Sequence, residues 1–187
     1  NFRQVTYEMP YGIKDILLKF VKNGWTPKYD DEDKTIIALE RFGESITIEP
    51  GGQIELSGAQ LSNIHQTCTE TTRHLKELKD IGNNFNFILL GLGVEPSLSL
   101  EDFPWMPKQR YVIMKEYMPL VGELGQHMMK RTCTNQVNLD YSSEEDMKEK
   151  AINEMLMVGT AKLFGASNKL IAFQLGLDLL NMFTKKK

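Results

Sequence analysis

The sequence predicts an α+β fold in which helices flank an antiparallel sheet. Three short stretches with the composition of strands, 35–40, 44–49 and 53–57, follow one another with turn residues between them, and helical patterns lie on either side. Strands that occur as successive hairpins favour an α+β fold over a doubly wound sheet. The 187 residues are enough for one domain with a hydrophobic core.

The first part of the chain predicts one helix followed by a three-stranded meander. Apolar residues recur at helical spacing over 10–24, and Asn23-Gly24 ends this helix. Phe42-Gly43 and Pro50-Gly51-Gly52 separate the three strands, and both are turn sequences of antiparallel hairpins. We therefore expect the three strands to pair in sequence order.

A second helix is predicted over 59–81, and shorter elements follow it. The apolar stripe of this helix consists of Leu61, Ile64, Cys68, Leu75 and Leu78. The later elements are a buried strand over 85–93, an irregular loop over 95–107, a helix over 108–118 that Pro119 ends, a polar strand over 131–141, and helices over 147–164 and 168–183. Ser142-Ser143, followed by three acidic residues, is typical of a helix N-terminus.

Composition excludes several classes of function. Lys and Arg number 22 against 25 Asp and Glu, and the largest basic block is the terminal Lys185–Lys187, which argues against a nucleic-acid partner. No apolar run approaches the roughly 18 residues of a membrane span. Cys68 and Cys133 lack the spacing of a zinc knuckle and cannot form a disulfide framework. We expect a soluble protein of a reducing compartment, with the cytoplasm as the default location and the plastid as the alternative if the source is a plant.

Two carboxylates at the second hairpin form the first candidate site. Side chains alternate along 53–57, so Glu55 lies on the face of Gln53 and Ser57, and Glu49 ends the partner strand just before the Pro-Gly-Gly turn. Two carboxylates at the mouth of a tight turn can share a divalent cation such as Mg²⁺. The alternative is that Glu55 is the solvated half of an amphipathic strand, and the pattern alone favours that alternative.

The polar strand is the second candidate. Thr134, Gln136 and Asn138 share one of its faces, and hydroxyl and amide groups of this kind can orient a small polar substrate without adding charge. An edge strand with one wet face explains the pattern equally well. The neighbouring cations that could hold carboxylates or phosphates are Lys108, Arg110, Lys130 and Arg131.

Several segments, in order, resemble a known enzyme family. They are IEPGGQIELSG at 48–58, HQTC at 65–68, MPKQRYVIM at 106–114 with YMP at 117–119, and MMKRTCTNQVNLDYSSE at 128–144. Together they are similar to the plant and alphaproteobacterial type of glutamate–cysteine ligase, and the resemblance extends over roughly residues 34–150.

The resemblance implies a glutamine-synthetase-like carboxylate–amine ligase fold whose antiparallel sheet forms the floor of the site. It implies that ATP activates the γ-carboxylate of glutamate as an acyl phosphate, which the amine of cysteine then attacks to give γ-glutamylcysteine, the first step of glutathione biosynthesis. It also assigns roles, with Mg²⁺ offsetting phosphate charge: Glu49 and Glu55 as metal ligands, Thr134, Gln136 and Asn138 as substrate-binding residues, and Arg110 and Arg131 as contacts to glutamate or phosphate.

The resemblance also implies that residues 1–187 form a single partial catalytic domain. Family members carry a strand with further metal-binding glutamates, expected just before residue 1, and residues 165–187 form a divergent C-terminal helix without family likeness. Two alternatives stay open: an inactive ligase fragment that acts as a binding or partner module, and a ligase for another amine. The pattern does not define the oligomeric state.

Overall fold

The computed structural model describes residues 3–30, 35–135 and 140–152 in two compact units. The first unit combines the described residues up to 90 with residues 95–132, and the second combines residues 91–94 with the described residues from 133 onward. No helix among the described residues is long and apolar enough to cross a membrane.

Four antiparallel strands form the sheet that the described part of the first unit contains. They are β1 (Thr26–Tyr29), β2 (Ile36–Arg41), β3 (Glu44–Ile48) and β4 (Ile54–Ser57), hydrogen-bonded in the order β1-β2-β3-β4. The predicted meander of three strands is therefore confirmed. The hairpin between β2 and β3 turns at Phe42 and Gly43, whose φ angles of 53° and 84° are those of a type I′ turn.

The two faces of the sheet have opposite chemistry. Leu39, Ile46 and Ile48 are fully buried on one face and belong to the core. The register pairs Thr47 with Glu55, so the opposite face of β3 and β4 carries hydroxyl and carboxylate groups. The candidate carboxylates consequently lie on the polar face, away from the core.

Helix α1 (Ile13–Lys22) covers the apolar face of the sheet, as its spacing predicts. Its buried residues, Ile13, Ile16, Leu17 and Phe20, recur at helical spacing. Trp25 follows the helix and packs edge-on against Phe20, with 5.8 Å between the ring centroids. This helix and the sheet make up most of the core.

Helix α2 (Ile64–Phe85) presents a different face to the core from the one predicted. Ile64 and Leu75 are 73% and 54% exposed, and Cys68 is exposed too, so the predicted apolar stripe is wrong apart from Leu78. The helix instead buries Glu70, His74, Leu78, Ile81 and Gly82. Glu70 is satisfied there, because it accepts a hydrogen bond from the backbone N–H of Ala59 at 2.8 Å. The His74 ring stacks on Phe20, but its Nδ1 has no hydrogen-bond partner among the described residues.

The apolar run after α2 is not a buried strand. Residues 87–92 have no regular structure, and the exposed fractions of Ile88, Leu89 and Leu90 are 59%, 48% and 54%. The chain leaves α2 through Asn86, which adopts a left-handed conformation with φ of 58°. Hydrophobicity alone therefore gave a wrong prediction for this segment.

Two helices follow the irregular loop over 95–107. Helix α3 (Gln109–Val121) continues past Pro119, contrary to prediction, and helix α4 (Gly125–Arg131) was not predicted. Proline at 119 cannot donate to the carbonyl of Lys115, four residues earlier. The side-chain amide of Gln126 donates to that carbonyl instead, at 2.9 Å, which explains how the helix tolerates the proline.

The second unit contains one confirmed helix start. Residues 144–152 are helical, and the hydroxyl of Ser143 accepts a hydrogen bond from the N–H of Asp146, as an N-cap does. Arg131 ends α4, Thr132 forms a single β-bridge and residues 133–135 are irregular, so the polar strand predicted over 131–141 does not begin at 131. Residues 136–139 of that prediction lie outside the described residues. The rest of the predicted C-terminal helices, including 165–187, lies outside the described residues.

Candidate functional site

The turn between β3 and β4 brings the two candidate carboxylates to one edge of the polar face. The N–H of Gly52 donates to the carbonyl of Glu49, and the N–H of Glu49 donates to the carbonyl of Gln53, both at 2.8 Å. Gly52 has a φ of 91°, which favours glycine. Glu49 thus extends the strand pairing by one step beyond the turn end of β3, on the same face as Glu55.

The side chain of Gln53 fastens this turn to α4. Its Oε1 accepts from the N–H of Gly51 at 3.0 Å, and its Nε2 donates to the carbonyls of Met129 and Thr132 at 3.2 and 2.9 Å. An added Cβ at Gly51 would lie 2.2 Å from the carbonyl oxygen of Lys130, which shows how closely the turn approaches α4. Gln53 is therefore committed to holding the turn.

Residues just before and at the start of α3 bind the backbone on both sides of Glu49. Lys108 Nζ and Tyr111 Oη donate to the carbonyl of Ile48, at 2.8 and 2.6 Å. The N–H of Met106 donates to the carbonyl of Pro50 at 3.0 Å. Glu49 consequently stands between two backbone carbonyls that are both hydrogen-bonded to one segment.

The charges around Glu49 oppose one another. Burial raises the pKa of Glu49, and the nearby carboxylate of Glu55 raises it further, whereas Lys108 and Arg110 lower it. Arg110 Nη2 lies 4.0 Å from Glu49 Oε1, but the Arg110 side chain is 63% exposed, so the attraction is weak. Burial, and after it Arg110, lowers the pKa of Lys108 to about 8, against the opposing effect of Glu49 and Glu55.

Glu49 and Glu55 are chemically suited to a hard divalent cation. Among the described residues, no three His, Cys, Asp or Glu side chains lie together in a way that could hold a metal ion. Mg²⁺, however, is commonly bound through one or two carboxylates and completes its octahedron with water and phosphate oxygens. Burial is the main reason that the pKa of Glu49 is raised, and repulsion from Glu55 adds to it; a bound cation would offset that repulsion. The pair therefore fits this role and would leave coordination positions of the ion open for a substrate.

The remaining candidate residues have the following contacts. Arg131 donates from Nη2 to the carbonyl of Glu95 at 2.8 Å, and its Nη1 lies 3.2 Å from His127 Nδ1. Thr134 belongs to the second unit, is exposed and donates to the carbonyl of Asn135. Gln136 and Asn138 lie outside the described residues.

The sequence-based interpretation missed the part that Tyr111 and Gln53 play, and it counted Lys108 only as a neighbouring cation. Lys108 is 8% and Tyr111 2% exposed. A lysine and a tyrosine three residues apart at a helix start, after a buried Met106, could have indicated side chains directed at the sheet. No pattern identifies the carbonyl of Ile48 as their common acceptor, because that contact joins residues 60 and 63 positions apart.

Comparison with known proteins relates the chain to one family. The family-wide profile of glutamate-cysteine ligase family 2 (GCS2) matches residues 13–163. The chain is 47% identical over 154 residues to glutamate–cysteine ligase A, chloroplastic, of Oryza sativa subsp. japonica, covering 80% of this chain and 30% of the relative. It is 50% identical over 154 residues to the chloroplastic ligase of Medicago truncatula, with 80% and 29% covered. It is 53% identical over 119 residues to that of Arabidopsis thaliana, with 64% and 23% covered. The chain thus spans at most about 30% of the length of these curated relatives.

Proposed function

Because the chain belongs to glutamate-cysteine ligase family 2, we propose that it joins the γ-carboxylate of L-glutamate to the amine of L-cysteine at the expense of ATP. The products are γ-glutamylcysteine, ADP and phosphate, and the reaction is the first step of glutathione biosynthesis. The observation that carries the proposal is the family match over 13–163, which includes the whole carboxylate turn.

The proposed chemistry has two steps that balance in atoms and charge. An oxygen of the glutamate γ-carboxylate attacks the γ-phosphorus of ATP, and ADP leaves, which gives γ-glutamyl phosphate. The cysteine amine then attacks the acyl carbon, phosphate leaves with the former carboxylate oxygen, and the nitrogen loses a proton. The protein's task is to hold together three reactants that each carry carboxylate or phosphate groups, which requires compensating positive charge.

The carboxylate pair on the polar face of the sheet would hold the ion that supplies this positive charge. Glu49 and Glu55 would hold Mg²⁺, which when bound offsets the charge of the ATP phosphates. Their shared face supports this role, and so does their proximity, because the Glu55 carboxylate adds to burial in raising the pKa of Glu49. Arg110, exposed beside Glu49, would attract the glutamate carboxylate or a phosphate oxygen.

The remaining assignments follow from family likeness. Arg131 is proposed as a second anion contact, and Thr134, Gln136 and Asn138 as groups that orient substrate. The carboxylate–amine ligase fold of the glutamine-synthetase kind, with Mg²⁺ and ATP required for activity, is proposed on the same ground. The relatives are named as chloroplastic, which supports a plastid location for this protein over the cytoplasmic expectation.

Release of ADP by the purified chain tests the proposal. With Mg-ATP and glutamate, ADP release should depend on cysteine, and circular dichroism should show that every variant is folded. Glu49→Gln keeps the size of the side chain but removes its charge. It should lower the rate by about 100-fold or more, because the site would hold Mg²⁺ less tightly and the ion would compensate less of the charge in the transition state. Glu40→Gln is the matched control, since Glu40 lies on the same sheet and pairs only with the exposed Lys28 among the described residues.

The outcomes separate the proposal from its alternatives. Cysteine-dependent turnover that Glu49→Gln abolishes and Glu40→Gln leaves intact supports a ligase built on this turn. Turnover with another amine in preference to cysteine would change the acceptor but keep the mechanism. A folded chain without any turnover would overturn the proposal for this chain and favour the inactive, partner-binding fragment.

A further inference from the structure

Two buried donors converge on one backbone carbonyl in the first unit. Lys108 Nζ lies 2.8 Å and Tyr111 Oη 2.6 Å from the carbonyl oxygen of Ile48, which thereby uses both of its lone pairs. Lys108 and Tyr111 are buried, and Lys108 also lies over the Tyr111 ring, with Nζ 5.3 Å from the centroid. Burying an ammonium group is costly, and here it shares its acceptor with a buried tyrosine hydroxyl. Simple packing does not explain why both donors bind one carbonyl.

The carbonyl of Ile48 belongs to the peptide unit whose nitrogen is that of Glu49. Because a peptide unit is planar, fixing this oxygen also fixes the N–H of Glu49, which donates to Gln53. The next constraint comes after Glu49, where the N–H of Met106 binds the carbonyl of Pro50. The direction in which the Glu49 side chain leaves the backbone is therefore set by the 106–111 segment.

The same segment also places the cation that faces Glu49. Arg110 Nη2 donates to Tyr111 Oη at 3.2 Å and lies 4.0 Å from Glu49 Oε1. Tyr111 Oη thus accepts from Arg110 while it donates to Ile48. The hydroxyl of Tyr111 therefore hydrogen-bonds both to the guanidinium of Arg110 and to the end of β3.

We infer that Lys108 and Tyr111 are positioning residues of the ligase site, which set the orientation of Glu49 through the carbonyl of Ile48; this inference rests on the proposed function. Neither residue needs to touch a substrate for this role. When both donors are lost, the carbonyl is left without a partner in a buried place and the turn must rearrange. When one is lost, the other still holds it.

The test uses the full chain with Lys108→Met, Tyr111→Phe and the double variant. Each single change removes a donor and keeps most of the buried volume. Lys115→Met and Tyr117→Phe are matched controls, because both residues are exposed on the same helix. Two quantities are measured: the amide hydrogen exchange of each residue in the sheet by NMR, and the affinity for Mn²⁺ alone by electron paramagnetic resonance, with Glu49→Gln as the reference for a lost ligand.

We expect each single variant to speed exchange at Glu49 and Gly52 and to weaken Mn²⁺ binding, by about fivefold, the worth of one hydrogen bond. The fold-change in exchange and in Mn²⁺ affinity of the double variant should exceed the product of the two single fold-changes. Only the double variant leaves the carbonyl of Ile48 without a hydrogen bond from either side chain. Exchange at Leu39 and Ile46, within the buried face, should stay at the wild-type rate, and both controls should behave as wild type.

Several results would overturn the inference. Unchanged exchange at Glu49 and Gly52 would do so, and so would faster exchange across the whole sheet with unaltered Mn²⁺ affinity, which is the result of a merely structural role. If the wild-type chain binds no Mn²⁺, the carboxylate pair of the proposed function fails instead. The localised exchange at Glu49 and Gly52 then still decides whether Lys108 and Tyr111 position that residue.

Discussion

Replacing Gly51 with alanine should destabilise the chain because the turn has no room for a methyl group. The added Cβ would lie 2.2 Å from the carbonyl oxygen and 2.8 Å from the Cα of Lys130, both of them backbone atoms that cannot rotate away. The turn and α4 would have to separate by more than 1 Å to reach ordinary contact distance. Overpacking of this kind costs about 1–3 kcal/mol. The separation also strains the two hydrogen bonds from Gln53 to α4, each worth about 1 kcal/mol.

The expected total is a loss of about 3 kcal/mol in the free energy of unfolding. For a chain of this size, that corresponds to a decrease in Tm of about 6–12 °C. Thermal and urea denaturation, followed by circular dichroism, measure both quantities. Gly122→Ala is the control: a Cβ there meets nothing within 4 Å, and its φ of 177° suits any residue. If the Gly51→Ala variant has the same Tm as the Gly122→Ala variant, the close approach of the turn to α4 is refuted.

Two further predictions concern the packing of the first unit. Burial lowers the pKa of His74 below 6.5, against the raising effect of Glu77 and Glu44. The unfolded chain therefore binds a proton that the folded chain binds less readily, and the free energy of unfolding should decrease as the pH falls below about 6.5. Urea denaturation above and below that pH measures this change. The free energy of unfolding should decrease less in the His74→Phe variant, which keeps the stacking on Phe20, than in the wild type, and equal decreases in the two proteins would contradict the assignment to His74. Gln126→Ala should cost about 1 kcal/mol, because it leaves the carbonyl of Lys115 without its donor. In a Pro119→Ala background that cost should vanish, since residue 119 then supplies its own N–H, and a double-mutant cycle that is additive would argue against this compensation.

Local patterns predicted the parts of the fold that depend on neighbouring residues. Turn residues at Phe42-Gly43 and Pro50-Gly51-Gly52 were sufficient for the meander, since each hairpin is closed by its own turn. Strand β1 was missed because it is four residues long, contains Pro27 and has mostly exposed side chains. Side-chain alternation placed Glu55 correctly on the polar face near Glu49.

Burial of polar groups is where prediction from hydrophobicity fails. Glu44 is 1% exposed because Arg41 and Arg73 pair with it, at 3.2 and 2.6 Å, and Arg41 also pairs with Glu77. These partners come from separate elements, so the sequence contains no local sign that α2 would direct a charged face inward. The predicted apolar stripe therefore pointed to the wrong side of the helix.

The sequence likewise predicted one part of the candidate site and missed another. Alternation identified the carboxylates, and family resemblance named their chemistry, but neither indicated what holds the turn. Gln53, Lys108 and Tyr111 bind backbone carbonyls at sequence separations of 60 residues or more. A backbone acceptor has no residue type, and for that reason no sequence motif can specify such a contact.

The path of one oxygen atom tests the proposed ligation most directly. The purified chain would be incubated with Mg-ATP, cysteine and glutamate in which both oxygens of the γ-carboxylate are ¹⁸O. If γ-glutamyl phosphate forms, the released phosphate carries one ¹⁸O atom for each γ-glutamylcysteine made, and the Glu49→Gln variant releases little of either. Phosphate without label beside γ-glutamylcysteine, or a folded chain that yields neither product, would contradict the account.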